Sequence, residues 1–304
     1  MKKLLTFVLG IFVVLVLVGC NQNSEPLTVM APNGAPALAQ LFVQDNEDYA
    51  VDIVNGADPL IAALGSGSHD FVFAPTNLGA KLYTSGIDYK FLAAVTFGNY
   101  FLVSMQEDDF TIESLEGKEI IVFGQNATSD IIIRYILEEN DINATLTYVD
   151  AVSTANAEFI ADNNKIIMTA EPLLSVLANS VSGFKTIDLQ LEYQEITGED
   201  SFPQAGVFGK TSLTDKQINN FLKDLEESVE KVNEDLDAAV AKAAELEYTF
   251  PEAVLRTAIP NSHLDFKSAL DVKADLEEYF NIILDMNGVL IGGQLPEADF
   301  YFQP

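Results

Sequence analysis

The chain has 304 residues, 48% hydrophobic and 10% aromatic, enough for one large or two ordinary cored domains and too apolar for a disordered chain. A formal charge of −30 excludes binding to DNA, RNA or anionic lipid heads by bulk electrostatics. With one cysteine, Cys20, and two histidines, His69 and His263, a disulfide is excluded, and no structural zinc site or other metal centre is expected.

Met1-Lys2-Lys3 forms a positive start, and residues 4–18 an apolar run shorter than the ~20 residues a spanning helix needs. The run ends in Leu17-Val18-Gly19-Cys20, which resembles a bacterial lipobox. That resemblance implies a signal peptide over 1–19, cleavage before Cys20, and acylation of the cysteine by diacylglyceryl and palmitate-like chains. Each buried CH₂ contributes ~0.8 kcal/mol, so several chains anchor stably. Residues 20–26 are then a polar tether.

Four strand–loop–helix joins follow. Residues 27–30 lead through a loop holding Asn33 and Gly34 to an apolar helix over 37–43. Residues 70–73 lead through Thr76 and Asn77 to a helix over 78–83, after a strand at 49–54 and a helix at 58–64 ended by Gly65 and Gly67. Two β-rich segments, 91–97 and 100–106, break at Gly98-Asn99, and the acidic stretch 106–109 reads as a domain crossing.

Residues 119–139 hold the clearest join. Ile120, Ile121, Val122 and Phe123 suit a strand covered on both faces. A polar loop with Gln125 and Asn126 follows, then a helix opened by Thr128 or Ser129, whose hydroxyls suit an N-cap. Asp130 complements the positive end of that helix, and Ile131, Ile132, Tyr135 and Ile136 form its apolar stripe. The fourth join runs from 165–168 through Glu171 and Pro172 to a helix over 173–179. Pro36 and Pro172 fit first helical positions, where a missing N–H costs nothing. Such joins imply parallel sheets whose loops converge where ligands bind in open α/β folds.

Further along, 144–149 reads as a strand, 154–162 as a helix, and 185–191 as a strand or extended segment. Residues 201–208 carry the chain back. One long helix is expected over 211–246, from Ile218, Leu222, Leu225, Val229, Val232, Leu236 and Val240 at three- and four-residue steps. A shorter helix over 251–258 stops before Pro260, another spans 272–286, and Gly292-Gly293 ends the regular structure.

The phrases DPLIAALGSGSHDFVFAPTN, SLEGKEIIVFGQNATSDIIIRYIL, TAEPLL, SFPQAGVF and IGGQLPEADFYF together resemble the substrate-binding proteins of ABC importers, in the branch of sulfonate, taurine, nitrate and thiamine-pyrimidine binders. The resemblance implies an α/β, two-lobed, type II periplasmic-binding-protein-like fold with a hinge and a central cleft. Lobe one would hold 27–105 and 205–304, and lobe two 106–204. Its mechanism would be hinge closure on a small-molecule ligand, then delivery to an ABC permease driven by a separate ATPase subunit. No cofactor and no bond-breaking residue are called for, and the protein is expected to be a monomer held outside the cytoplasm on the cell membrane.

Loop position nominates Asn33, Gly34, Thr76, Asn77, Phe97, Asn99, Gln125, Asn126, Thr128, Ser129, Glu171 and Gln204 as ligand contacts, with Phe97, Tyr100 or Phe202 covering an apolar face. For each, a loop cap or turn role is the alternative. The two arginines, Arg134 and Arg256, fall outside the loops, so a bidentate anion clamp is not expected. A neutral or cationic heteroaromatic ligand, such as a vitamin or its precursor, is favoured over a sulfonate- or nitrate-type anion. An enzyme of the same fold and a sensory binding protein are the competing readings. The menaquinone-biosynthesis enzymes that share the fold are cytoplasmic, against the export signal.

Overall fold

A computed structural model describes residues 25–105 and 109–304, so Cys20 and the expected leader and anchor lie outside the described residues. Two mixed sheets form the frame. The first holds β1 (Leu27–Pro32), β2 (Tyr49–Val54), β3 (Phe71–Pro75), β4 (Tyr89–Phe97), β10 (Pro203–Lys210) and β11 (Leu264–Ser268), in the order β11-β4-β10-β3-β1-β2. The second holds β5 (Tyr100–Ser104), β6 (Glu119–Phe123), β7 (Thr145–Val149), β8 (Ile166–Ala170) and β9 (Lys185–Asp188), in the order β7-β6-β8-β5-β9.

Each sheet has a parallel trio built from the expected joins: β2, β1 and β3 in one, β7, β6 and β8 in the other. The remaining strands run antiparallel to their neighbours. The chain changes sheets at Gly98–Asn99, both at positive φ, which turns it sharply between β4 and β5. Pairing therefore puts β5 in the second sheet, whereas the expected boundary after residue 105 would leave it in the first. Residues 198–202 carry the chain back, and Gly98 N–H donates to Phe202 O at 3.2 Å, tying the crossings together.

Helices cover the sheets: α1 (Ala35–Ala39), α2 (Asp58–Ser66), α3 (Thr76–Thr84), α4 (Thr128–Glu139), α5 (Val152–Ala161), α6 (Leu173–Ser180) and α7 (Leu189–Thr197). The C-terminal part adds α8 (Asp215–Glu234), α9 (Leu236–Glu245), α10 (Glu252–Asn261) and α11 (Lys273–Asn287). The α8 stripe of Ile218, Phe221, Leu225, Val229 and Val232 packs on the first sheet, with Phe221 stacked on Phe71 at 3.9 Å between centroids.

Several boundaries differ from the sequence reading. The expected 211–246 helix is two, because Asp235 leaves helical φ/ψ and its carboxylate accepts from Ala238 N–H, capping α9. Helix α1 stops at Ala39 and a 3₁₀ turn occupies Val43–Asp45. Helix α10 runs through Pro260 to Asn261, although the proline has no N–H for the carbonyl of Arg256. Helix α7 follows β9 where an extended segment was the expectation, started by Asp188 accepting from Gln190 N–H. The chain also stays ordered past Gly292-Gly293: Tyr301 bridges to Phe91, and Phe302 N–H donates to Phe91 O.

One apolar core continues through both sheets. It joins Val72, Ala74 and Phe208 of the first to Ile120, Val122 and Met168 of the second, with Phe202, Tyr279 and Phe280 among its members. The two layers meet along a seam closed by side chains.

Candidate functional site

The seam is built from loop ends. Strand β3 ends at Pro75, and α3 begins at once with Thr76 and Asn77, both buried. Thr76 Oγ1 donates to Pro203 O at 2.7 Å, fixing the end of β3 to the return crossing. From the second sheet, β6 ends in Gly124, Gln125 and Asn126, and α4 opens with Thr128. Thr128 Oγ1 donates to Asn77 Oδ1 at 3.1 Å, across the seam and 51 residues away in sequence.

This bond corrects the expectation for α4. Ala127 is the N-cap, no side chain caps the helix, and neither Thr128 nor Ser129 does so. Thr128 uses its hydroxyl on Asn77, and Ser129 Oγ donates to Phe123 O at 2.6 Å. The loop is shaped by Asp130 instead. Its carboxylate, 1% exposed, accepts from Asn126 N–H (2.8 Å), Arg134 Nε (2.8 Å) and Tyr148 OH (2.7 Å). Sequence reasoning took Asp130 as a complement to the helix dipole and missed this role. Asn126 sits at φ 62°, and it and Gln125 are exposed at the rim.

An aromatic group lies beside the Asn77–Thr128 bond. Phe202 stacks on Tyr100 (6.0 Å, 26°), meets Tyr193 edge-on (5.2 Å) and packs against Tyr279 (6.0 Å). Tyr100 also meets Phe123 edge-on at 5.7 Å. Gln204, two residues after Phe202, donates from Nε2 to Tyr100 OH at 2.8 Å. Burial pushes the phenols of Tyr100, Tyr193 and Tyr279 well up, so all three stay neutral, with the Gln204 bond opposing the rise at Tyr100. Tyr279 was not nominated from the sequence because it lies inside α11, among the buried Leu276, Phe280 and Ile283, and not in a loop.

Other nominated residues sit apart from this group. Asn33 Nδ2 donates to Asn55 Oδ1 at 3.3 Å, just past the ends of β1 and β2 and beside Gly34 at the start of α1. Asn99 and Glu171 form their own pair: Glu171 N–H donates to Asn99 Oδ1 at 2.7 Å, and Asn99 Nδ2 donates to Glu171 O at 3.3 Å. The Glu171 carboxylate accepts from Ser175 N–H and Oγ at 3.1 and 3.0 Å, capping α6, with the Asn261 amide of α10 nearby. Pro172, joined to it by a cis peptide, is the N-cap position rather than the first helical residue. Phe97 lies under Lys267 Nζ (5.2 Å to the centroid) and lines a groove of about 570 Å³ with Gln190, Ser201, His263 and Asp275, beside the crossings.

Burial raises the Glu171 carboxyl above the ordinary carboxylate range, against the lowering effect of the Ser175 bonds. A raised acid contributes stability below its unfolded pKa and loses it as pH rises through the folded one. Glu171→Gln is therefore expected to flatten the stability–pH profile between that range and neutrality. Thermal unfolding across the interval checks it: the wild type gains more stability on acidification than the variant does.

Residues 92–286, well over half of the chain, match the family model described as menaquinone biosynthesis. The chain belongs to the menaquinone biosynthesis family. Comparison of this member with curated proteins finds no match. Among solved structures, it is similar to an ABC transporter protein from Parabacteroides distasonis, with 21% identity, 92% of this chain and 99% of that chain covered, and a TM-score of 0.81. It is similar to the alkanesulfonate-binding protein SsuA from Xanthomonas axonopodis pv. citri bound to MOPS (16% identity, 91% and 96% covered, TM-score 0.65). The ligand-binding component of an ABC-type import system from Staphylococcus aureus, with zinc bound, is a third (14% identity, 92% and 97% covered, TM-score 0.69). At these identities the likeness establishes the fold: α/β, two-lobed, of the periplasmic-binding-protein kind. Among the described residues no cluster of His, Cys, Asp and Glu suits a metal ion, and no helix is long and apolar enough to cross a membrane.

Proposed function

We propose that this family member is an extracytoplasmic solute-binding lipoprotein, which captures a small organic solute by hinge closure and delivers it to an ABC permease served by a separate ATPase. The observation that carries this reading is the Asn77–Thr128 bond, made between the loop ends of the two sheets where an open α/β fold takes its ligand. Each sheet moves with its helices as a lobe, bending at Gly98–Asn99 and 198–202, two short strands of chain linked by the Gly98–Phe202 bond. In the open form Thr76, Asn77, Gln204, Thr128 and the aromatic group face solvent and admit the solute. In the closed form they grip it. Gln125, Asn126 and Asn33 guard the rim. The lipobox at Cys20 supplies the tether.

Arg134 is spent on Asp130, and Arg256 on Asp237 and Glu252, so neither is available as an anion clamp in the seam. This supports a neutral heteroaromatic solute over a sulfonate. The family label favours a second reading, an enzyme acting on a small substrate in the same seam. Mass spectrometry of the solute that co-purifies with the protein tests both. Binding requires that the added solute is recovered unaltered and raises the melting temperature by stabilising only the folded state. Recovery of a product of different mass establishes the enzyme reading, and a broad metabolite panel with no thermal shift removes the binding reading.

A further inference from the structure

The nominated contacts leave several polar atoms of the seam unsatisfied. Tyr279 is 0% exposed, and among the described residues its hydroxyl meets no partner at full hydrogen-bonding geometry; the Thr128 hydroxyl, whose own proton goes to Asn77, is the group near enough to pair with it loosely. Gln204 gives its amide N–H to Tyr100, and its Oε1 is buried without a donor. The first turn of α4 is buried as well, with Thr128 and Ser129 each 1% exposed. Among the described residues no side chain caps it, and no backbone acceptor meets the N–H of either residue. A buried helix start without partners calls for an outside acceptor, because unmade buried hydrogen bonds are costly.

These groups come from α11, β10 and α4, and they border one set of rings, Tyr100 and Phe202. Their chemistry is directional. The α4 N–H groups donate only, the Tyr279 hydroxyl donates or accepts, and Gln204 Oε1 accepts only. We propose that Tyr279 is a ligand-reading residue, and that the solute is a neutral planar molecule carrying a carbonyl oxygen for Tyr279 and the start of α4 and an N–H for Gln204. The inference rests on the solute-binding reading and narrows it to one chemical class, cyclic or aromatic amides. Charge decides for neutrality. An anion brings no N–H for Gln204 Oε1, and Arg134, which could balance its charge, is already held by Asp130. A cation would face the positive end of the helix.

The test uses the whole chain and Tyr279→Phe, which deletes the hydroxyl and keeps the ring. Binding of nicotinamide and uracil, both neutral amides, is titrated against nicotinate and 3-methylpyridine. Both amides are expected to bind the wild type more tightly than nicotinate or 3-methylpyridine. Tyr279→Phe is expected to lose about tenfold for the amides, as one hydrogen bond predicts, and nothing for 3-methylpyridine. The unliganded variant should melt at the same temperature as wild type or higher, since an unpaired hydroxyl has gone. Preference for nicotinate, equal amide affinity in both proteins, or a lowered unliganded melting point would each overturn the assignment. If neither amide binds while another solute co-purifies in the seam, the amide class falls and the binding reading stands. If no solute binds, both fall.

Discussion

Phe202→Ala is expected to lower stability by about 3–5 kcal/mol, the range for deleting a buried phenylalanine whose surroundings cannot collapse. The ring is fully buried and touches Tyr100, Tyr193 and Tyr279, drawn from β5, α7 and α11. Each neighbour is itself a large ring held by other contacts, so none can swing into the space. Because these neighbours belong to both sheets, the loss should also loosen closure. Denaturant unfolding measures the first effect, and small-angle scattering of the unliganded protein measures the second as a larger radius of gyration. A change below about 1 kcal/mol, which a relaxed site would give, contradicts the packing described here.

The second large effect is expected at Asp130. Asp130→Ala removes the acceptor for Asn126 N–H, Arg134 and Tyr148 at once, leaving a half-buried guanidinium without its partner. Breaking a buried pair from one side costs roughly 3–5 kcal/mol, less where one member reaches water as Arg134 does. The loop holding Gln125 and Asn126 loses the bond that keeps Asn126 at positive φ. Solute affinity should therefore fall with stability. Asp130→Asn, which keeps one acceptor oxygen, should recover part of both. Calorimetric binding and thermal melting on the two variants check this, and an Asp130→Ala protein with native affinity would show that the loop stands without the carboxylate.

Local chemistry made much of the frame legible. Apolar runs marked β3, β6 and β8, and a helix follows each, through a short loop after β6 and β8 but at once after β3, so Thr76 and Asn77 are helical where a loop was the expectation. Pairing partners were not legible, so the antiparallel strands β4, β10 and β11, and the change of sheet at Gly98–Asn99, came only from the structure. The helix break at Asp235 hid inside an unbroken three- and four-step stripe, since Leu236 and Val240 continue the phase of α8. At the seam, Asn77 and Thr128 were nominated singly, and their bond depends on a fold that places residues 51 apart in contact. Tyr279 stayed hidden for a different reason. A phenol on an apolar helix stripe differs from its core neighbours by one oxygen, and only its lack of a partner sets it apart.

The most direct test is a crystal structure of the protein with the solute it carries from its native cell. The solute should lie between the two sheets, within hydrogen-bonding distance of Thr128 and Tyr279 and against the Tyr100 and Phe202 rings. Electron density for it in the groove beside Phe97 and His263, or elsewhere on the surface, with Asn77 and Thr128 still joined, would contradict the account.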